Sequence, residues 1–436
     1  MKQLLLAALA TTLCAGLAAE EEVILQITGF LDDSPLQAAG AEEGDVILHY
    51  AGHRVKSLDH LSELRDGVSG EVEVILLRGA ESLRVSIPAG SLGVYLRVFD
   101  EAHEIAPDAV RIEGIGRLGW EHDMYNSFLG CVYRLDEKFG RGLLYQDILG
   151  LSGYAFRFHM FTQSLCPSSP DATCGFDTGY YVLRTLGYDV EPLLLASSEI
   201  GREYKQMARS QGELEERMMQ GIDAGWPTIG IDIVEIPEWG IVTGYQRDGE
   251  EFFCRSYFDT TADYNLIEKF PWSVYIVKGY SQNDLSDAYR ASLQKACEML
   301  ETPAYHDYKS GLAGFDQWIM HLENVATVNM DEAALLEAMH ANWWAYINLF
   351  IARKFAGDYL NQHADKFGLP PGDVDTLLAI YGKEVGLLLA GMGDVPNNLE
   401  GAVVADWTST KRRNQIETLR ELRKLEEQAL EILRKA

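Results

Sequence analysis

The chain has 436 residues, too many for one ordinary core, so two or three domains are expected. Its composition, 47% apolar and 24% charged, is that of a folded protein. A formal charge of −29 excludes a basic surface built for nucleic acid and disfavours anionic membrane surfaces.

The chain opens MKQLLLAALATTLCAGLAAEEE: one Lys, an apolar run from Leu4 to Leu17, small residues, then Glu20 to Glu22. This pattern predicts a secretory signal peptide over residues 1–19, hence export to the periplasm or the extracellular space. The run is too short to span a bilayer. Leu13, where a small residue is needed before Cys14, argues against lipid attachment. No other long apolar run is apparent, so no integral membrane span is expected. Five cysteines follow the leader, Cys131, Cys166, Cys174, Cys254 and Cys297, an odd number that cannot all pair within one chain. Cys166 and Cys174 flank the turn-rich CPSSPDATC; an oxidising compartment permits a disulfide there, and two unpaired thiols in a tight loop fit equally well.

In residues 20–98, Ser34-Pro35, Ala39-Gly40 and Gly44-Asp45 punctuate the chain, and a strand follows over Val46 to His49. Leu58, Leu61 and Leu64 recur at helical spacing, and two alternating strands follow around Val72–Leu77 and Leu83–Ile87. The order SP…AG…GDVI resembles a PDZ domain of the bacterial protease type. The resemblance implies a peptide or protein partner added as a strand, in a groove flanked by the helix that begins near Ser57, with Ser57, Leu58 and Leu61 beside it.

Residues 105–280 hold a helix in MYNSFLGCVYRLDEKFG, Met124 to Gly140, then DILGLSGYAFRF, the cysteine loop and two strands, in α+β order. At 100° per residue Phe128, Val132, Leu135 and Phe139 share one apolar face, and Cys131 falls beside them while Ser127 lies at the edge. Cys131 is therefore predicted to be a core residue with a raised pKa. Asp232, Glu235 and Glu238 are predicted to form a solvated hairpin rim rather than a metal site. Residues 281–436 read almost wholly helical, closing on a stripe of Ile416, Leu419, Leu422, Leu425, Leu430 and Leu433 that predicts a helix packed on the preceding domain. The Trp pair in NWWAYINLF is predicted to be helix core.

GWPTIGID…EWGIVTGYQRDGEE resembles the strand pair of papain-like proteins. That group includes the double-glycine leader peptidases and the N-terminal domain of butirosin biosynthesis protein H, an acyltransferase. LGLSGYAF and the helical segment after it are similar to the latter, and the resemblance spans Met124 to Ala436 in outline. It implies a thiolate at a helix N-terminus, a His across the cleft and an acid that orients the His. Counting back from Gly140 places Ser127 at the nucleophile position; counting back from Gly244 places Glu238 at the His position; the acid would be Asp259.

The expected fold class is thus multidomain α+β: a small β-rich PDZ domain, a papain-like α+β domain and a C-terminal all-helical domain. The expected function is peptide or protein binding, with a papain-like domain degenerate in catalysis. The alternative is a hydrolase or acyltransferase that uses Cys131, or Ser127 with His122 just upstream of the helix, as nucleophile. His159 is a lone histidine with a structural role as the simpler reading. No phosphate-binding glycine loop, CxxC pair or HExxH helix is present, so no cofactor or metal is expected.

Overall fold

The computed structural model describes residues 24–78, 81–99, 103–120, 124–234, 236–261, 263–325, 331–397 and 402–436. The segment 1–19 predicted to be a signal peptide, and His122, Asp123 and Glu235, lie outside the described residues. The molecule is an α+β protein.

The N-terminal part contains β1 (Ile24–Phe30), α1 (Pro35–Ala38), β2 (Val46–Tyr50), β3 (His53–Arg54), α2 (Leu58–Asp66), β4 (Glu71–Arg78), β5 (Glu81–Pro88) and β6 (Val94–Phe99). Their sheet runs β5-β4-β2-β1-β6, with β3 paired to β2. β4 and β5 alternate, and every second side chain, among them Val72, Val74, Leu76, Val85 and Ile87, enters a core shared with Leu36 and Leu61. α1 starts where Ser34 Oγ accepts the Gln37 N–H and Pro35 presets the first turn. Asp45 is pinned by two hydrogen bonds from the Arg78 guanidinium, each 2.8 Å, which closes the turn into β2.

The second sheet runs β10 (Ala208–Arg209), β9 (Tyr188–Leu195), β15 (Ser273–Tyr280), β11 (Thr228–Ile231), β12 (Trp239–Gln246), β13 (Glu251–Arg255), β14 (Asn265–Leu266), and β7 (Val110–Arg111) joins β12. Among the helices of this part are α3 (Ser127–Phe139), α4 (Tyr145–Leu151), α5 (Thr178–Leu186), α6 (Glu199–Glu203) and α7 (Gln211–Asp223), and β8 (His159–Phe161) stands apart in a small sheet with β16 (Ala304–Tyr305) and β17 (Tyr308–Ser310). β11 and β12 pair antiparallel with Gly230 opposite Gly240, and the missing side chains let Ile233 and Pro271 close over the pair. The helices α8 (Ala288–Glu301), α9 (Gly311–Val325), α10 (Glu332–Gln362), α11 (Pro371–Gly391) and α12 (Ser409–Leu433) follow.

One apolar core runs from Ile112 to Ala436 and takes in α3, the second sheet and parts of α8, α10, α11 and α12. The predicted stripe of α12 is buried throughout, from Ile416 to Leu433. The Trp pair is only partly buried, and Trp344 meets Trp120 edge-on at 5.7 Å. Within Pro371–Asp394, an 18-residue segment with a mean hydropathy of 1.2 is long and apolar enough to cross a membrane, and a third of that segment is buried within the protein.

Candidate functional site

The start of α3 is built by its own sequence. Asn126 caps the helix through Oδ1, which accepts the Leu129 N–H at 3.1 Å, and Gly140 ends it in the left-handed region with φ 110°. Asn126 also donates through Nδ2 to the Pro170 carbonyl, so the cap and the cysteine loop are tied together. Ser127 is the first residue of the helix and is 4% exposed.

β12 brings Glu238 to the same point. Ser127 Oγ donates to Glu238 Oε2 at 2.5 Å, and the Trp239 N–H donates to Ser127 Oγ at 3.3 Å. The two positions that the papain-like resemblance singles out therefore touch, across 111 residues of sequence. Glu238 is only partly accessible and belongs to no solvated rim, contrary to the expectation for the 232–238 hairpin. The physical reason is a turn: Glu238 donates its N–H to Ile236 O at 2.7 Å and gives its own carbonyl to Asp232 N at 3.1 Å, which folds the carboxylate inward while Ile236 stays exposed. Burial pushes the Glu238 carboxyl up to about 7; the charge of Asp171 adds to this and the Ser127 hydrogen bond opposes it. Asp232, by contrast, lies 3.5 Å from the Lys269 ammonium at the surface.

Cys131 is fully buried among Phe128, Val132 and Leu135, as the helical spacing predicts. Burial, and next the charge of Glu238, hold its thiol well above the ordinary range. Among the described residues no histidine hydrogen-bonds to Ser127 or Glu238. His159 is 2% exposed and its Nδ1 lies 3.0 Å from the Cys174 carbonyl, an acceptor that requires the proton on Nδ1. Burial, and then the neighbouring Arg157 cation, hold it well below the ordinary imidazole range, so it is neutral. Asp259 does not reach the pair: Oδ1 accepts the Ser256 N–H at 2.8 Å and Oδ2 meets Arg255 at 3.1 Å, so it staples its own loop.

The acid that does stand beside the pair is Asp171, within CPSSPDATC. Its Oδ2 accepts the Trp239 indole N–H at 2.7 Å, and its Oδ1 accepts both the N–H and the hydroxyl of Thr173, each at 2.7 Å. Trp239 packs edge-on against Phe128 at 4.8 Å, which roofs the start of α3. Arg157, 4% exposed, holds this loop by donating to the carbonyls of Pro170, Asp171, Ala172, Cys174 and Phe176. Spacing offered no route to Asp171, but a single Arg inside the apolar run AFRFHM was a legible signal for a buried guanidinium with a carbonyl-rich partner. Cys166 and Cys174 are free thiols, linked through Ser168 and Tyr308: Cys166 Sγ to Ser168 Oγ is 3.0 Å, Ser168 Oγ to Tyr308 Oη 3.1 Å, and Tyr308 Oη to Cys174 Sγ 3.3 Å. Burial pushes the Cys174 thiol up to about 12.

In the N-terminal part, Ser57 Oγ caps α2 by accepting the His60 N–H at 3.0 Å. Leu58 is 43% exposed, whereas Leu61 points into the core and has no groove-facing surface. β6 ends its sheet, and among the described residues no strand pairs with its outer edge. Tyr95 and Val98 on β6 are exposed, and Arg65 of α2 donates to Gly90 O at 2.9 Å, which ties the helix to the loop that leads into β6. No cluster of three or more metal-ligating side chains occurs among the described residues. No protein-family model matches the chain, and no curated protein matches it either.

Proposed function

We propose that the protein is an exported peptide-binding protein, with a PDZ-type unit over residues 20–98, a papain-like unit over 105–280 that has lost thiol chemistry, and a helical unit over 281–436. The observation that carries the reading is the outer edge of β6, with which no strand pairs among the described residues, beside the exposed side chains Tyr95 and Val98; Arg65 ties α2, which also carries exposed Leu58, to the loop before β6. A peptide strand laid along β6 pairs with that edge, and its alternate side chains reach toward α2. The papain-like positions support a silent cleft, because a pair of a buried serine and a half-buried glutamate stands where thiol and imidazole are needed and the nearest thiol, Cys131, is sealed in the core. A carboxyl cannot supply the cation that stabilises a thiolate. The test is anisotropy of a panel of labelled peptides with free C-termini. Leu58→Glu with Val98→Glu, both at exposed positions, is expected to weaken binding about tenfold or more. A wild-type protein that binds none of the panel, or a double variant that binds equally well, sinks the reading.

One observation favours a second reading. Ser127 donates at 2.5 Å to a carboxylate whose pKa stands at about 7, the pairing a general base near neutrality requires. Ser127 would then be the acyl acceptor and Glu238 its base. Labelling of Ser127 by an acylating probe, lost in Glu238→Gln, favours this; an unlabelled Ser127 excludes it.

A further inference from the structure

Neither the edge of β6 nor the Ser127–Glu238 pair uses Cys166 and Cys174, which begin and end CPSSPDATC. Both are half-buried, whereas Cys131 and Cys254 are sealed in the core. The two sulfurs end a chain of contacts through Ser168 Oγ and Tyr308 Oη, with steps of 3.0, 3.1 and 3.3 Å. Successive turns coil the loop between them: the Ser169 N–H donates to Cys166 O, the Asp171 N–H to Ser168 O and the Cys174 N–H to Asp171 O.

The two ends differ in freedom. The Cys174 carbonyl accepts from Arg157 at 3.1 Å and lies 3.0 Å from His159 Nδ1. Cys166 stands between exposed Gln163 and Ser164 on one side and exposed Pro167 on the other. A disulfide needs its sulfurs about 2 Å apart, so both hydroxyls must leave and Cys166 is the end that travels. Ser168 travels with it, and its carbonyl accepts the Asp171 N–H at 3.0 Å. Asp171 in turn accepts the Trp239 indole N–H. The state of the sulfurs therefore reaches the roof of the Ser127–Glu238 pair through one backbone hydrogen bond.

We propose that Cys166 and Cys174 form a reversible disulfide, by exchange with a low-molecular-weight disulfide, that reseats Asp171 against Trp239. Burial holds the Cys174 thiol up to about 12, which leaves the opening attack to Cys166. The Cys166 thiolate attacks one donor sulfur, breaks the donor S–S bond and releases one thiolate. The Cys174 thiolate then attacks Cys166 Sγ and releases the second. The protein sulfurs lose two electrons, the donor gains them, and the two thiol protons pass to the released thiolates. Tyr308 Oη donates to Cys174 Sγ and so favours the second thiolate. None of this depends on peptide binding at β6.

The test equilibrates the full chain with mixtures of reduced and oxidised glutathione, blocks free thiols with N-ethylmaleimide and maps the linkages by mass spectrometry. A Cys166–Cys174 link is expected to appear as oxidised glutathione rises and to vanish with dithiothreitol. Tyr308→Phe deletes a hydrogen bond that the dithiol makes and the disulfide gives up, so its midpoint should move about fivefold toward more reducing mixtures. In protein labelled with nitrogen-15 tryptophan, the Trp239 indole resonance, assigned with Trp239→Phe, should shift on oxidation. It should not shift in Cys166→Ser or in Cys174→Ser. Circular dichroism checks that each variant is folded. Glutathione adducts with no internal link, a midpoint unmoved in folded Tyr308→Phe, or an oxidised protein with an unshifted Trp239 indole overturns the proposal.

Discussion

Glu238 is a carboxyl whose protonation is set by its surroundings rather than by its type. Burial raises its pKa from 4.5 to about 7, so the sign of its contribution follows. The stability is fully present below about pH 4.5, where the folded and unfolded chains both hold the proton, and is lost as pH rises through about 7. The full swing is on the order of 3 kcal/mol. Glu238→Gln keeps a hydrogen-bond acceptor for Ser127 and has no charge to bury. Urea unfolding of wild type and variant is therefore expected to show a gap that widens in favour of the variant between about pH 5 and pH 8. Asp171 acts on the same carboxyl through its charge. Asp171→Asn keeps an oxygen for the Trp239 indole N–H but removes that charge, so the Glu238 midpoint should fall. Carboxyl-carbon NMR of glutamate-labelled protein, assigned with Glu238→Gln, reads the shift; an unmoved midpoint would show that Asp171 only holds the indole.

At the scale of elements, α3 fits its place by the side chains it lacks. A Cβ on Gly130 would stand 2.2 Å from Tyr257 Oη, which donates to Met124 O at 2.7 Å. Gly130→Ala improves helix propensity by about 1 kcal/mol, yet the clash either displaces the tyrosine or moves the helix. The net effect is expected to be destabilising by about 1–3 kcal/mol in urea melts. A similar fit appears at Gly179, where a Cβ would meet the Phe128 ring at 2.3 Å. Helical spacing predicts the apolar face of α3 and the burial of Cys131, because both depend on one helix. It does not predict these glycines, because their need comes from residues far along the chain.

For the whole molecule, two buried guanidiniums link the parts. Arg353 of α10 is fully buried, donates to the Ala155 carbonyl at 2.7 Å, and pairs with Glu384 of α11 at 3.0 Å and with Glu426 of α12. Arg157, two residues after Ala155, then holds the loop of Asp171. Burial and the charge of Glu426 hold the Glu384 carboxyl well above its ordinary range, and burial raises the Glu426 carboxyl as well. Arg353→Met should cost about 3–5 kcal/mol, whereas Glu384→Gln, which resembles the protonated state, should be nearly neutral; thermal unfolding compares the two. The sequence by itself determined what depends on neighbours in the chain: the β4–β5 alternation, the helix that begins near Ser57, the apolar face around Cys131 and the stripe of α12. Counting along a resemblance also singled out Ser127 and Glu238. Only the tertiary structure decided that these two hydrogen-bond, that Glu238 is half-buried rather than solvated, that Asp171 and not Asp259 stands beside it, and that Leu61 serves the core. The reason is physical. Periodicity follows from local backbone geometry, whereas the environment of a charged or polar group depends on which distant segments fold over it and exclude water.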